Sequence, residues 1–284
     1  MYRATPLAKL AAFAALLMLV FGAASLAGSA IGPDRDGGTA ADAMSAHGGA
    51  AEPAADPVRG LAASDGGLKL ALHTTELQRG RPSELAFAIV GAGGRPVRDF
   101  DVAHEKRMHV IVVRRDGRGF QHLHPRLGGD GVWRARATLV DAGSYRVFTD
   151  FERHGEPRTL ASDLAVDGEA DYRPLPPPAT TAITSDGYEV ALAGAAPRAG
   201  REAELRFTVS RDGVPVRTER YLGAGGHLVA LREGDLAYLH VHPEDGDAVG
   251  FMTRFPSAGR YRLYLQFKHA GRVHTAEFTQ EVTG

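Results

Sequence analysis

The sequence predicts an all-β protein with two tandem β-sandwich domains. Short segments that alternate apolar and polar residues recur along the chain between turn signals, a pattern typical of sandwiches and barrels. No convincing amphipathic helix interrupts these segments. Their order returns after a proline-rich stretch, which indicates an internal duplication. The 35 glycines support this interpretation, because many of them stand beside turn-forming residues.

The amino-terminal end is a targeting or anchoring element. Arg3 and Lys9 precede an apolar run at residues 10–32, and a run of about 20 residues is enough to span a bilayer. Cations before the run favour a cytoplasmic amino terminus. Residues 1–32 are therefore predicted to be a single-pass membrane anchor, with the remaining chain extracellular. The alternative is a signal peptide that is cleaved near residues 25–27, which leaves a secreted protein.

The remaining chain divides into a tether, two domains and a linker. Residues 33–65 are rich in Ala, Gly, Asp and Pro and are predicted to be a disordered tether. Residues 66–168 and 181–284 contain the two series of alternating segments and are predicted to be the two sandwiches. Residues 169–180 include several prolines, which predict a semi-rigid, extended linker.

Composition excludes several classes of protein and site. A formal net charge of -1 argues against a nucleic-acid partner. Cysteine is absent, so disulfides, thiolate nucleophiles, cysteine-based zinc sites and cysteine-containing blue-copper centres are all excluded. Each domain must then be held together by its hydrophobic core alone.

Two matching segments suggest a tyrosine corner in each domain. The sequence DAGSYRV at residues 141–147 aligns with SAGRYRL at residues 257–263. A tyrosine at this place in a late strand is similar to the corner of immunoglobulin-like sandwiches, and the candidates are Tyr145 and Tyr261. Since Val147 and Leu263 stand where such domains carry a cysteine, the prediction is an immunoglobulin-like or cupredoxin-like sandwich by analogy only.

Three histidines recur in both halves of the chain. Residues 108–125 align without a gap with residues 226–243, and the apolar positions have changed freely while the histidines have not. Descent from one ancestor does not by itself single out histidine in this way. The identical pairs are His109/His227, Arg114/Arg232, His122/His240, His124/His242 and Pro125/Pro243.

A tight hairpin would bring each trio together. Asp116-Gly117 and Gly234-Asp235 suit two-residue turns, which would place His109 opposite His124 and Ile111 opposite His122. In the second hairpin, His227 would face His242, Val229 would face His240 and Leu231 would face Tyr238. Alternate residues share a face of a strand, so three imidazoles would converge at the end of each hairpin, at the edge of a core.

Three neutral histidines without a thiolate suit a divalent metal ion. We therefore predict a non-enzymatic metal-binding protein with one site per repeat, with copper favoured and zinc possible, and with no protein partner indicated. One alternative is a tandem extracellular adhesion or interaction module with structural histidines. Another is a His₃ zinc hydrolase or hydratase, although no general base is evident. Further, weaker candidate ligands are His104, Met108, His269 and His274.

The segments HEKRMHVIVVRRDGRGFQHLHP, YLGAGGHLVALREGDLAYLHVHP and PSAGRYRLYLQF carry a resemblance that spans nearly the whole chain after the tether. The sequence resembles an actinobacterial family of exported or membrane-anchored proteins with tandem β-domains, some of which are described as heavy-metal-binding. This resemblance implies a location at the cell surface. It implies no established activity.

Overall fold

The computed structural model describes residue 18 and residues 58–239, 241–244 and 249–284. Apart from Met18, the predicted anchor or signal segment and residues 33–57 of the tether lie outside these ranges. Residues 58–65 are already part of the fold, because Arg59 forms a β-bridge with Tyr238 and a first strand follows. Residues 58–65, which were predicted to belong to the tether, therefore belong to the fold. Among the described residues, no helix has the length and apolar character needed to cross a membrane.

The two halves of the chain are built from short and medium strands. In the first repeat these are β1 (Ser64–Asp65), β2 (Leu68–Leu72), β3 (Glu76–Leu77), β4 (Ser83–Val90), β5 (His109–Arg114), β6 (Gln121–Leu123), β7 (Arg126–Leu127), β8 (Trp133–Ala137), β9 (Gly143–Arg153) and β10 (Glu156–Val166), with a 3-10 turn at Ala92–Gly94. In the second they are β11 (Thr181–Ile183), β12 (Tyr188–Ala193), β13 (Glu202–Arg211), β14 (Val214–Pro215), β15 (His227–Arg232), β16 (Tyr238–Leu239), β17 (His242–Pro243), β18 (Val249–Arg254), β19 (Gly259–His269) and β20 (Arg272–Val282).

Each repeat is a two-sheet sandwich. The first repeat pairs sheet β1-β2-β4-β8-β7 with sheet β3-β10-β9-β5-β6, and the second pairs β11-β12-β13-β18-β17 with β16-β15-β19-β20. Alternate residues of the strands fill the space between the two sheets. Phe87 and Tyr145 are fully buried in the first core, and Phe267 and Phe278 in the second. These cores confirm the predicted all-β class.

Both predicted tyrosine corners are present. The Tyr145 hydroxyl donates a hydrogen bond to the carbonyl oxygen of Asp141 at 2.9 Å, and the Tyr261 hydroxyl donates one to that of Ser257 at 2.9 Å. Both rings are fully buried. Each tyrosine therefore ties the start of a long strand, β9 or β19, to the loop that leads into it.

The first hairpin has the predicted strand register but a different turn. Ile111 lies opposite His122, as expected. Gly117 N–H donates to the Arg114 carbonyl at 2.8 Å, so the turn is centred on Arg115 and Asp116. Gly119, which has a positive φ of 65°, adds one residue to the returning strand. The earlier turn and the extra residue offset each other, and the register is preserved.

The second hairpin keeps the predicted register next to its turn, while the predicted pairing of Val229 with His240 involves a residue outside the described ranges. Leu231 lies opposite Tyr238, as predicted. The loop spans residues 233–236 instead of two residues, and Arg232 N–H donates to the Ala237 carbonyl at 3.0 Å. His242 does not pair with His227, because it lies in β17, opposite Met252 of the other sheet. The predicted pairing of His227 with His242 is therefore wrong.

The arginine that is identical in the two aligned segments, Arg114 or Arg232, closes the loop of its hairpin. Arg114 binds both carboxylate oxygens of Asp116, at 2.9 and 2.6 Å, and Arg232 binds both of Asp235, at 3.1 and 2.5 Å. Two parallel hydrogen bonds of this kind fix the geometry of a guanidinium and a carboxylate. The retention of this arginine in both halves is thus explained by the turn.

A third hydrophobic core lies between the repeats. The described residues of both repeats belong to one compact unit, and the sheets that contain β5 and β15 face each other within it. The apolar side chains on these facing surfaces are buried against one another rather than inside either sandwich. They are Ile111, Val113, Phe148, Ala161, Val229, Leu231, Leu236, Tyr238 and Tyr264, with Phe120 packed at the side.

Contacts across this interface are reciprocal. Phe120 stacks on Tyr264 with ring centroids 4.1 Å apart, and the equivalent residues Tyr238 and Phe148 are 5.5 Å apart. His109 and its equivalent, His227, also stack on each other, at 5.7 Å. The repeats are thus related by an approximate two-fold axis. The histidine face of each hairpin, expected at the edge of its own core, is instead turned toward the other repeat.

Candidate metal centre

Histidines from both repeats meet at one end of the interface. Ring nitrogens of His109, His122 and His227 all lie within 4.8 Å of one another. The ring of His124 is 4.7 Å from that of His122 and 5.2 Å from that of His109, centroid to centroid. The structure therefore joins the whole first trio to one member of the second. We call these four residues the histidine cluster.

Strand positions explain why the histidine cluster forms. His109 and His227 are the first residues of β5 and β15, on the faces that meet across the approximate axis. The register of β6 places His122 opposite Ile111, so its side chain lies on the same inter-repeat face. His124 stands just after β6, where the chain leaves one sheet for the other.

Two outer partners fix the protonation of the central rings. His122 Nδ1 lies 2.6 Å from Gln266 Oε1, and His109 Nε2 lies 3.2 Å from the Ala103 carbonyl oxygen. Both partners are acceptors, so both nitrogens carry the hydrogen. The remaining nitrogens, His109 Nδ1 and His122 Nε2, then present lone pairs to each other at 3.0 Å. Two lone pairs at that distance repel each other unless a proton lies between them or a metal ion binds beside them.

The other two rings also offer unused nitrogens. Nε2 of His124 and Nε2 of His227 are buried and have no hydrogen-bond partner among the described residues. Burying a polar atom without a partner is costly, and such groups call for a bound ion or water. The histidine cluster thus combines two opposed lone pairs with two unsatisfied nitrogens.

The environment keeps these rings neutral. Burial, with His109 and His124 nearby, lowers the pKa of His122 to about 3. Burial, with His109 and Lys106 nearby, lowers the pKa of His124 to about 4. Burial also lowers the pKa of His227 well below its usual value, and the pKa of His109 falls for the same reason. Neutral imidazole is the form that binds metals, so the histidine cluster is ready for an ion at neutral pH.

Three imidazole nitrogens, from His109, His122 and His227, lie close enough together to bind one ion. Imidazole nitrogens bind Zn²⁺ at about 2.0–2.1 Å, which separates two tetrahedral ligands by roughly 3.3 Å. The 3.0 Å between His109 Nδ1 and His122 Nε2 is close to that separation. A hydrogen bond from the second ring nitrogen to a carbonyl or amide oxygen is the usual outer support of a metal-bound histidine. Here Ala103 and Gln266 occupy those outer positions.

Of the weaker candidates near the first trio, His104 is close and Met108 is turned away. The His104 ring lies 6.2 Å from those of His109 and His227. His104 has a positive φ of 48°, a conformation uncommon for a non-glycine residue. Met108 is 1% exposed and packs in the core of the first sandwich. It therefore contributes no sulfur to the histidine cluster.

Among the predicted ligands of the second repeat that the structure describes, none forms a second trio with His227. His242 lies in β17, in the other sheet, and His240 lies outside the described residues. His269 Nδ1 is 2.8 Å from the Tyr188 hydroxyl. His274 Nδ1 is 2.6 Å from the Asp186 carboxylate, while its Nε2 is 3.1 Å from the His269 carbonyl. These last two histidines thus have hydrogen-bond partners of their own.

Gln266 is the site residue that the sequence did not reveal. It lies on β19 directly opposite His227, and its amide nitrogen donates to the Thr275 hydroxyl at 3.3 Å. The equivalent position in the first repeat is Asp150, which lies opposite His109 and accepts from the Thr159 hydroxyl at 2.7 Å. A polar residue in the middle of both copies of an apolar strand was the available signal.

No curated protein matches the chain. Among solved structures, it is similar to the Escherichia coli adhesin FdeC, with 17% identity, 78% of this chain and 65% of that chain covered, and a TM-score of 0.28. It is also similar to Salmonella alpha-2-macroglobulin reacted with methylamine, with 13% identity, 80% and 15% covered, and a TM-score of 0.28. The tandem Ig repeats of Dlar give 8% identity, 76% and 97% covered, and a TM-score of 0.22.

The chain thus spans 65% of the length of the adhesin structure and 15% of the alpha-2-macroglobulin structure. At the level of families, the match falls on both sandwiches. Residues 62–168 and residues 181–284 each match a family described as a domain of unknown function, DUF8832. The chain therefore belongs to the DUF8832 family, with two copies of the domain.

Proposed function

We propose that this chain is a non-enzymatic metal-binding protein that holds one divalent ion between its two repeats. The observation that carries the proposal is the pair of opposed lone pairs on His109 Nδ1 and His122 Nε2, 3.0 Å apart, whose second nitrogens both face acceptors. His227 supplies the third ligand, and His124, whose buried Nε2 has no partner among the described residues, is the candidate for the fourth. The proposal places the site outside the cytoplasm, following the apolar run at residues 10–32.

Copper and zinc both suit an all-imidazole site. The sequence favoured copper slightly because His104 and Met108 lie next to the first trio, although Met108 was expected to point to the other face, and its side chain is indeed buried in the first sandwich core. What still favours Cu²⁺ is its higher intrinsic affinity among divalent ions. Zn²⁺ fits the tetrahedral set equally well. We therefore retain both, with Cu²⁺ first.

The stoichiometry distinguishes this proposal from one site per repeat. Because His227 joins the first trio and His242 lies in another sheet, we expect one ion per chain rather than two. The full-length chain would be freed of metal with a chelator, loaded with Cu²⁺ or Zn²⁺ at pH 7, dialysed, and analysed by mass spectrometry. One bound ion per chain supports the proposal, and no stoichiometric metal refutes it.

Single substitutions test the ligand set. His122→Ala and His227→Ala should each weaken metal affinity at least about 100-fold, because each removes a ligand. His242→Ala is the matched control from the second repeat, and exposed His73→Ala is a control for general loss of histidine. Both controls should bind metal as the native chain does. Equal losses in His227→Ala and His242→Ala would contradict a shared inter-repeat site.

A second candidate function has its own supporting observation. The hydrogen bond that His122 Nδ1 donates to Gln266 Oε1, at 2.6 Å, connects the two repeats. Such a connection suits a rigid tandem adhesion or interaction module in which the histidines are structural. That function predicts that His122→Gln lowers the melting temperature in metal-free buffer while the native chain binds no metal.

A further inference from the structure

His124 connects the histidine cluster to a surface cavity of about 350 Å³. Its ring lies 4.7 Å from that of His122, centroid to centroid, and its side chain also lines the cavity. His109 is only 4% exposed, whereas His124 is half-buried. An ion that approaches the histidine cluster through this cavity therefore meets His124 first.

Three arginines and a glutamate supply charge to the lining of this cavity. Arg126 of β7 lies directly opposite Arg134 of β8, and Arg136 stands two residues further along β8, on the same face. Like charges directly opposite each other on neighbouring strands are destabilising. Because Glu84 contributes a single carboxylate, these four residues leave an excess of positive charge in the lining.

Two of these guanidiniums have no carboxylate partner in the part of the chain that the structure describes. Arg134 binds Asp130 at 2.6 Å and lies 3.6 Å from Glu84. Arg126 and Arg136 are exposed and form no ion pair with a described residue. The charges of Arg126 and Arg136 are therefore free to attract an anion from solution.

The second repeat has other residues in place of these arginines. The sequences ELAF at residues 84–87 and ELRF at residues 204–207 align β4 with β13, and these strands pair with β8 and β18 in the same register. Arg126, Arg134 and Arg136 then correspond to Glu244, Gly250 and Met252. Since the second sandwich folds without these arginines, the fold does not require them. They accompany the repeat whose three histidines converge.

We propose that this cavity receives the metal ion as an anionic carboxylate chelate, from which the ion passes through His124 to the rest of the histidine cluster. The inference rests on the proposed metal-binding function. The unpaired guanidiniums of Arg126 and Arg136 repel a free divalent ion, whereas they attract a negatively charged complex. A volume of about 350 Å³ lies within the range of about 300–1,000 Å³ that is usual for small-molecule sites.

The transfer is a ligand exchange without a change in oxidation state. Each oxygen of the chelator that leaves the ion is replaced by an imidazole nitrogen, first that of His124 and then those of His122, His109 and His227. The imidazoles are already neutral at pH 7 because they are buried, so they lose no proton when they bind the ion. The chelator leaves the cavity as its free anion.

Copper uptake from two donors of opposite charge tests the proposal. The full-length, metal-free chain would be mixed in a stopped-flow instrument with the citrate complex of Cu²⁺, which is anionic, or with hydrated Cu²⁺ in a non-coordinating buffer. Quenching of the protein fluorescence measures the second-order rate constant of uptake. Added salt screens the guanidiniums, so it should slow uptake from the citrate complex and should not slow uptake of the hydrated ion.

A double variant introduces the residues of the second repeat into the cavity. At low ionic strength, Arg126→Glu/Arg136→Met should slow uptake from the citrate complex at least about fivefold and should speed uptake of the hydrated ion. Arg201→Glu/Arg272→Met makes the same change in charge at exposed arginines of the second repeat, outside the cavity, and should match the native chain. All three proteins should reach the same copper content, since none of them loses a histidine.

The outcomes separate this inference from the proposed function. Stoichiometric copper uptake at the same rate in all three proteins overturns delivery as an anionic chelate and leaves the metal site in place. No uptake of hydrated Cu²⁺ by the native chain refutes the metal site and this inference together. If the double variant fails to fold, the native chain decides the question, because equal responses of the two donors to salt overturn the inference.

Discussion

The two repeats have the same fold and the same histidine motif, yet they use the motif differently. In the first repeat all three histidines converge. In the second, His227 joins them across the interface while His242 pairs in the opposite sheet. The difference arises because the motif faces the partner repeat and not the interior of its own sandwich. Duplication followed by face-to-face packing can therefore bring residues from two copies of a motif into one asymmetric cluster.

Lowering the pH should produce the largest loss of stability, because it acts on the buried histidines of the first repeat. The pKa values of His122 and His124, about 3 and about 4, lie below the value of about 6.5 in an unfolded chain. Between pH 6.5 and 4.5 the unfolded chain therefore binds more protons than the folded chain. The stabilisation is fully present above pH 6.5 and is lost as pH falls toward the folded values.

The expected slope for metal-free protein is up to about 1.4 kcal/mol per pH unit for each of these two histidines. Across the two pH units the loss reaches about 5 kcal/mol at most. Urea unfolding between pH 6.5 and 4.5 measures it. The double variant His122→Gln/His124→Gln should have a shallower slope, with the part due to His109 and His227 remaining, whereas exposed His73→Gln should match the native chain. Equal slopes in all three proteins would contradict neutral, buried histidines in the first repeat.

The interface itself can be tested from both sides. Phe148 and Tyr264 are equivalent, fully buried and part of the inter-repeat core. Replacing either with Ala should lower the free energy of unfolding by about 3–5 kcal/mol, because each change leaves a cavity. Exposed Val214→Ala should change it by less than about 0.5 kcal/mol. Small effects at Phe148 and Tyr264 would mean that these faces are exposed to solvent and that the repeats do not pack together.

Much of this arrangement was accessible from sequence. Alternating segments predicted the strands, and the turn dipeptides predicted the register that places Ile111 opposite His122. The register was right although the turn was not, because the extra residue at Gly119 compensates for the earlier turn. The alternation of residues along each strand is a local property of the sequence. It therefore predicted the strand pairing even though the turn was different.

The partner surface was not accessible from sequence. Apolar residues such as Ile111 and Val229 signal burial, but the pattern does not say what covers them. We expected the histidines to lie at the edge of their own core, and the covering surface is the other repeat. The sheet change between Leu239 and His242 was likewise hidden, since a His-x-His-Pro segment reads equally well as one continuous strand. Strand periodicity predicts which residues are buried, but it does not predict which two sheets pack against each other.

The tyrosine corners provide the finest comparison between the repeats. Tyr145→Phe removes one hydrogen bond, from its hydroxyl to the Asp141 carbonyl, and leaves that oxygen without its donor. We expect a loss of about 1 kcal/mol in the free energy of unfolding. The Tyr261 hydroxyl donates to the Ser257 carbonyl and also lies 3.1 Å from the Ser257 hydroxyl.

That serine in turn accepts a hydrogen bond from Arg232 Nη1 at 2.9 Å, so the second corner is connected to the hairpin that carries His227. Tyr261→Phe should therefore cost more than Tyr145→Phe, by about 0.5–1 kcal/mol. Urea unfolding of both variants at pH 7 measures the difference, and Ser257→Ala separates the two contributions in the second repeat. If Tyr145→Phe proves the more damaging change, the added hydrogen bonds around Ser257 do not stabilise the second corner.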